Sequence, residues 1–181
     1  LLATADFRRA LSLGIDRDQL NETFWLGLAT PGSTAPAEVM PESPGPEWRK
    51  KWSVLDVAQA NAMLDKLGLT KKDSQGYRLR TDNGQRLIIQ LTAIKAFMDW
   101  PAHAQMIAQQ WRKIGIFGDV KEQERGLAFQ RVVSGEHHIL VWTNGGTELL
   151  YLYPSWALPV DVANGAYGIE FSRWYASNGT G

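Results

Sequence analysis

The segment after the last predicted strand combines side chains that are suited to holding a small ligand. Residues 142–148 read Trp-Thr-Asn-Gly-Gly-Thr-Glu, which supplies an indole, an amide, a carboxylate and two glycines whose backbone can approach a ligand closely. In open α/β sheets, ligands bind beyond the carboxyl ends of the strands. The pattern therefore predicts a binding site, and the alternative is a tight turn with ordinary polar side chains. The candidate ligand-binding residues are Trp142, Asn144, Gly145, Gly146 and Glu148.

Two arginines flank the helix that is predicted before this strand. The guanidinium groups of Arg125 and Arg131 can donate paired hydrogen bonds to a carboxylate or to sugar hydroxyls. We include both as candidate ligand-binding residues. For each of them the alternative is a solvated charge on the helix surface.

The other polar clusters lack the geometry of a metal or catalytic site. His137 and His138 are adjacent at a predicted strand start, so their side chains point to opposite faces and cannot chelate one ion together. Asp16 and Asp18 suit the cap and the first turn of a helix. The sequence has no nucleophile-elbow serine, no phosphate-binding glycine loop followed by lysine, and no dinucleotide-binding glycine motif. We therefore predict no catalytic residue, no metal and no cofactor.

The composition is that of an ordinary globular domain without a strong electrostatic preference. Of 181 residues, 44% are apolar, and 19 lysines and arginines balance 19 aspartates and glutamates. This balance gives no reason to expect nucleic acid or anionic lipid as a partner. The absence of cysteine excludes disulfides and thiol nucleophiles. Eight tryptophans are an unusual number, and their flat faces suit sugars, peptide planes and aromatic ligands, although most are expected in the core.

The first half of the chain predicts mainly helices. Thr4 and Asp16 are placed to cap two short helices, and Ser53 is placed to start a third that ends at Gly68. Between them, residues 31–46 contain five prolines, which predict an extended surface connection.

The second half predicts a sheet with helical crossovers. An Asn83-Gly84 pair lies between residues 77–80 and 86–94, which predicts a β-hairpin whose second strand is central in the sheet. The elements that follow alternate between helix and strand, which favours one domain over residues 1–181 with helices packed on a mixed, mostly parallel sheet. The predicted helices and strands after the hairpin cover residues 101–114, 116–121, 125–134 and 138–143.

Three stretches together resemble one protein family. They are the helix and cap FRRALSLGIDR at residues 7–17, the pair AQANAMLDKLGL and GYRLRTDNGQRL at residues 58–69 and 76–87, and residues 107–142. In this order they are similar to bacterial extracellular solute-binding proteins of family 5, which serve oligopeptide, dipeptide, nickel and some oligosaccharide importers. The resemblance covers most of residues 1–145.

The resemblance implies an α/β lobe of the type II periplasmic-binding-protein fold, in which two lobes close around a solute. The chain would then be much of the second lobe, its first lobe would be missing, and its other partners would be the permease subunits of an ABC importer in the inner membrane. The location implied is periplasmic or extracytoplasmic. The chain starts without an initiator methionine, so we expect an export signal upstream.

The class of ligand stays open between peptide and oligosaccharide. The resemblance implies that peptide-binding members have a Trp-x-x-Asp type of motif here, whose aspartate pairs with the peptide amino group. Trp142 matches the tryptophan, but Asn144 and Gly145 stand where the aspartate is expected, and neither supplies that charge. An alternative is a carbohydrate hydrolase that uses Glu148 with an acidic residue of the missing lobe, and a third is a structural interaction domain.

Overall fold

A computed structural model of the chain describes residues 1–143, 151–156, 158–165 and 168–180. Single-turn 3₁₀ helices lie at Arg112–Ile114 and Pro154–Trp156. The α-helices and β-strands, in chain order, are α1 Ala5–Leu13, α2 Arg17–Trp25, α3 Pro46–Lys50, α4 Val57–Lys66, β1 Ile88–Ile94, α5 Trp100–Trp111, β2 Phe117–Gln123, α6 Arg125–Val133, β3 Ile139–Val141 and α7 Ile169–Ala176.

The three described strands form one parallel sheet in the order β2-β1-β3. Ile88 of β1 lies opposite Phe117 of β2, and Leu91 of β1 lies opposite Ile139 of β3. The prediction of a parallel sheet with β1 at its centre is thus confirmed. The order of the elements also agrees with the predicted alternation of helix and strand, since α5 connects β1 to β2 and α6 connects β2 to β3.

One hydrophobic core joins the first helices to the sheet. It contains the inner faces of α1 and α4, the alternating row Ile89, Leu91 and Ala93 of β1, and Trp111 at the end of α5. The indole Nε1 of Trp111 donates a hydrogen bond to the Leu11 carbonyl oxygen at 2.9 Å. This bond satisfies the polar edge of a ring that is only 1% exposed, so the largest core side chain also ties α5 to α1.

Helix α5 lies very close to β2. A Cβ atom added at Gly118 would be 2.6 Å from the Cβ of Ala108, which is nearer than real side chains come. Glycine at position 118 therefore permits the close packing of this helix on the sheet.

The predicted β-hairpin is only partly present. A turn at residues 81–83 reverses the chain, and Leu79 and Arg86 form an isolated antiparallel bridge, but residues 77–80 do not form a strand. Across the turn, the Arg80 N–H donates to the Gln85 carbonyl oxygen and the Leu87 N–H to that of Arg78. The Arg78 N–H instead bonds to the Gly115 carbonyl oxygen and the Leu79 N–H to that of Lys71, so the two arms pair only over a short stretch.

Two helix starts were predicted correctly and one was misplaced. Asp16 caps α2 by accepting a hydrogen bond from the Gln19 N–H at 2.9 Å, and Thr4 occupies the cap position of α1 without a side-chain bond. Asp56, not Ser53, caps α4. Ser53 is buried instead, and its hydroxyl donates to the Arg49 carbonyl oxygen. Within the described parts of the chain, no helix has the length and apolarity required to span a membrane.

Candidate functional site

An open groove lies where the central strand ends. Its volume is about 610 Å³, within the range of small-ligand sites. One wall is the segment that leaves β1, another is the start of α5, and Glu122 near the end of β2 contributes from the neighbouring strand. This is the carboxyl edge of a parallel sheet, where α/β proteins bind their ligands. The lining residues are Lys95, Ala96, Phe97, Met98, Asp99, Pro101, Ala102, Gln105 and Glu122.

The charged groups of the groove are partly compensated within it. Lys95 Nζ lies 3.4 Å from Glu122 Oε1, and this pair joins the ends of β1 and β2. Asp99 caps α5 by accepting a hydrogen bond from the Ala102 N–H at 3.1 Å. The groove therefore offers carboxylate and amide groups for hydrogen bonding, and the one cation among its described lining residues has a carboxylate partner.

Trp142, the leading residue of the predicted site, lies in an aromatic cluster beside this groove. The cluster consists of Phe97, Trp100, Phe129 and Trp142, and the centroid of the Trp142 ring is 5.7, 6.3 and 6.3 Å from those of Phe97, Trp100 and Phe129 respectively. Trp142 is half-buried. The indole is thus supported by rings from three other segments and keeps part of its surface open, although it does not itself line the groove.

A second set of rings supports the aromatic cluster from behind. His103 is 4% exposed, stacks on Phe24 at a centroid distance of 3.7 Å, and lies 4.7 Å from Trp25 and 5.1 Å from Trp100. The carbonyl oxygen of Asp99 is 2.7 Å from His103 Nδ1. The end of α2 thereby fixes the first turn of α5 and, through it, Trp100.

Several buried polar atoms near this edge have no hydrogen-bond partner among the described residues. They belong to the carboxyl halves of the two longer strands and to the first turn of α5. Such atoms are uncommon in the interior, because an unmet hydrogen bond costs free energy. The atoms are Thr92 Oγ1, Trp100 Nε1, His103 Nε2 and Gln123 Oε1.

Arg125 and Arg131 lie at opposite ends of α6. The guanidinium carbon of Arg125 is 5.8 Å from the centroid of the Trp142 ring, so this arginine lies beside the aromatic cluster. Beside it, backbone N–H groups of Gly126 and Leu127 hold the pKa of Glu124 below its usual value, which keeps a negative charge at the start of the helix. Arg131 is in the last turn, where its Nε lies 3.7 Å from Glu136 Oε2, and the described geometry does not bring it to Trp142.

The other four predicted residues, Asn144, Gly145, Gly146 and Glu148, lie outside the described residues. Their roles stay predictions. The sequence analysis missed the groove and the rings around Trp142. The groove could have been predicted from Lys95-Ala96-Phe97-Met98-Asp99, because this segment of charged and apolar residues directly follows the central strand.

The two adjacent histidines have separate environments. His138 Nδ1 accepts a hydrogen bond from the Gln90 N–H at 3.1 Å, next to the first residue of β3. Burial lowers the pKa of His137 below its usual value, and the nearby positive charges of His138 and Arg131 act in the same direction. In the described parts of the chain, no three potential metal-binding side chains cluster together.

A parallel sheet flanked by helices, with an open groove at its carboxyl edge, is the fold of the type II periplasmic binding proteins, a class that binds solutes. The model of the bacterial extracellular solute-binding proteins, family 5 Middle, matches residues 1–159, and the chain belongs to this family. No curated protein sequence matches the chain significantly.

Solved structures agree with this assignment. An oligopeptide-binding protein OppA is 30% identical, with a TM-score of 0.80 over 97% of this chain and 28% of its own. NikA from Brucella suis, in complex with Fe(III)-EDTA, is 23% identical with a TM-score of 0.72 over 98% of this chain and 33% of its own. MelB from Agrobacterium fabrum, in complex with stachyose, is 16% identical with a TM-score of 0.71 over 90% of this chain and 25% of its own. The chain therefore spans a third or less of these proteins.

Proposed function

We propose that the chain is much of the second lobe of the substrate-binding component of an ABC importer. In the whole protein, this lobe and a first lobe close around a small solute, an oligopeptide or an oligosaccharide, and deliver it to permease subunits in the inner membrane. The protein works in the periplasm or another extracytoplasmic space. It binds its solute without chemical turnover.

One observation carries this proposal: the carboxyl edge of the parallel sheet combines an open groove with a half-buried, ring-supported tryptophan. A groove with one side open to solvent suits half of a cleft whose second half comes from elsewhere. The family membership supports the same function. The 30% identical relative is an oligopeptide-binding protein, which supports solute capture without fixing the ligand of this chain.

The proposed site residues combine this geometry with the sequence pattern after Trp142. Trp142 supplies an apolar face for the ligand, and Arg125 supplies a guanidinium group at the rim of the aromatic cluster. The segment that follows Trp142 supplies hydrogen-bonding groups and close backbone approach through Asn144, Gly145, Gly146 and Glu148. Arg131 is retained only as a more distant candidate, since it pairs with Glu136.

Calorimetry on the full-length protein that contains this chain tests the proposal. The protein is titrated with oligosaccharides of four to six units and with peptides of three to five residues, and the recovered ligand is analysed for cleavage. We expect binding of one class and recovery of intact ligand. Cleaved ligand would instead support the hydrolase alternative, and no binding to either panel would contradict the proposal.

Trp142→Ala tests the assigned site. Removing a large aromatic contact from the centre of a binding surface costs about 2 kcal/mol, so affinity should fall by roughly thirtyfold. Trp48→Ala is the matched control, because Trp48 is a 44% exposed tryptophan on α3 that contacts Lys51. Unchanged affinity in Trp142→Ala, with a normally folded protein, would show that the ligand binds elsewhere.

A further inference from the structure

Phe97 has a conformation that is unfavourable for its residue type. Its φ is +64°, a left-handed value that bulky side chains rarely adopt, and its side chain is 83% exposed. The Met98 N–H donates to the Ala96 carbonyl oxygen at 2.7 Å, which closes a three-residue turn around Phe97. Neither core packing nor a helix cap accounts for a phenylalanine here.

The segment around Phe97 is held in this shape by a series of short-range bonds. The Ala96 N–H donates to the Ile94 carbonyl oxygen, and the Trp100 N–H donates to that of Met98. The three bonds, each spanning two residues, connect the end of the central strand to the start of α5. The backbone therefore fixes where the exposed ring stands.

That ring lies between the groove and Trp142. Phe97 lines the groove, and its ring centroid is 5.7 Å from that of Trp142 at an interplanar angle of 43°. At this spacing the two rings contact each other and leave no space for a third ring between them. The two rings adjoin each other at the side of the groove, so a ligand that lies on both can extend into it.

The groups of the groove favour a neutral, hydroxyl-rich ligand over a peptide terminus. Lys95 and Glu122 are paired with each other and Asp99 caps α5, so every charge among the described lining residues already has a partner and none is left to bind a charged peptide terminus. Asp99 and Gln105 offer carboxylate and amide groups, which bind hydroxyls well. Apolar ring faces beside such groups match the two sides of a sugar ring, one apolar and one polar.

We propose that Phe97 is a ligand-contact residue that divides the cleft into two subsites. One unit of a neutral oligosaccharide packs on the surface formed by Phe97 and Trp142, and the next unit binds in the groove at Asp99, Gln105 and Glu122. The left-handed backbone at Phe97 is retained because it presents the ring to the ligand. This inference rests on the proposed function and specifies the ligand class and a further residue of the site.

The test compares Phe97→Gly and Leu26→Gly in the full-length protein. Glycine adopts positive φ freely, so both variants should unfold at the same or a higher temperature than the parent. Leu26 is the matched control, because it has φ +53° and is 81% exposed at the end of α2. Affinity is measured by calorimetry with mannohexaose, maltohexaose and cellohexaose, and with tetra-alanine and penta-alanine.

We expect a hexasaccharide to bind, Phe97→Gly to weaken this binding about tenfold without loss of thermal stability, and Leu26→Gly to leave it unchanged. Loss of affinity with intact stability is what distinguishes a ligand contact from a structural residue. Hexasaccharide binding that Phe97→Gly leaves unchanged would overturn the role of Phe97. Binding of the alanine peptides alone would overturn the ligand class, and either result would leave the proposed function standing. No binding by the parent protein to any of these probes would overturn both.

Discussion

The two ends of the parallel sheet differ in how their polar groups are satisfied. At the amino end, the 1% exposed side chain of Arg78 donates to the Ile114 carbonyl oxygen at 2.8 Å, to Asp65 at 2.6 Å, to Asn61 Oδ1 at 2.7 Å and to the Leu69 carbonyl oxygen. At the carboxyl end, Trp100 Nε1 is buried without a partner among the described residues, and aromatic rings reach the surface. The side chain of Arg78 thus links several segments at the amino end, whereas exposed rings dominate the carboxyl end.

The largest effect is expected from breaking the amino end. Arg78→Met should lower the free energy of unfolding by about 3 kcal/mol, because it leaves buried carbonyl oxygens without donors. Urea unfolding measures this change. Arg80→Met is the control, since Arg80 is an exposed arginine of the same segment that pairs with Asp82, and it should change stability little. Equal effects of the two substitutions would mean that the buried network is no more stabilising than a surface pair.

Much of the scaffold could be predicted because its signals are local. The run at residues 86–94 after Asn83-Gly84 indicated the central strand, and the succession of strands and helices indicated the parallel sheet. Asp16 was recognised as a cap because the group it accepts from is three residues away. Each of these features depends on neighbours in the sequence, so its pattern is visible there.

The site and the amino-end network depend on distant residues and were largely missed. Trp142 was identified from its place after the last strand, but nothing near it in the sequence shows that Phe97 and Trp100 contact its ring. Arg78 was interpreted as a hairpin residue, since its partners come from separate segments. The hairpin is short for the same reason, because the turn forms but the Arg78 and Leu79 N–H groups bond to distant segments.

Two tryptophans of one helix allow the two ends to be compared directly. Trp111, at the amino end, donates to the Leu11 carbonyl oxygen, whereas the Nε1 of Trp100, at the carboxyl end, has no described partner. Trp111→Phe should therefore lower the free energy of unfolding by about 2 kcal/mol, through a lost hydrogen bond and a small cavity. Trp100→Phe makes the same change in shape and should cost less than about 1 kcal/mol, because it removes no bond. Urea unfolding of both variants measures the difference, and a larger loss in Trp100→Phe would contradict the proposed contrast.

The smallest expected effect concerns the pH response of the amino end, where His137 lies just before β3. Because burial lowers the pKa of His137 in the folded protein, the unfolded chain binds a proton there more readily. The contribution of this residue to stability is therefore fully present above the usual histidine pKa of about 6.5 and is lost as the pH falls through the lower folded value. His137→Asn should show a smaller drop in urea midpoint than the parent between pH 7.5 and pH 5.5. The carboxyl groups of Asp73 and Asp82 do not mask this difference, since their pKa values are held below the usual range and lie under this window. If parent and variant lose the same stability over this interval, then protonation of His137 costs the folded protein nothing. The burial of this side chain would then not contribute to the pH response of the amino end.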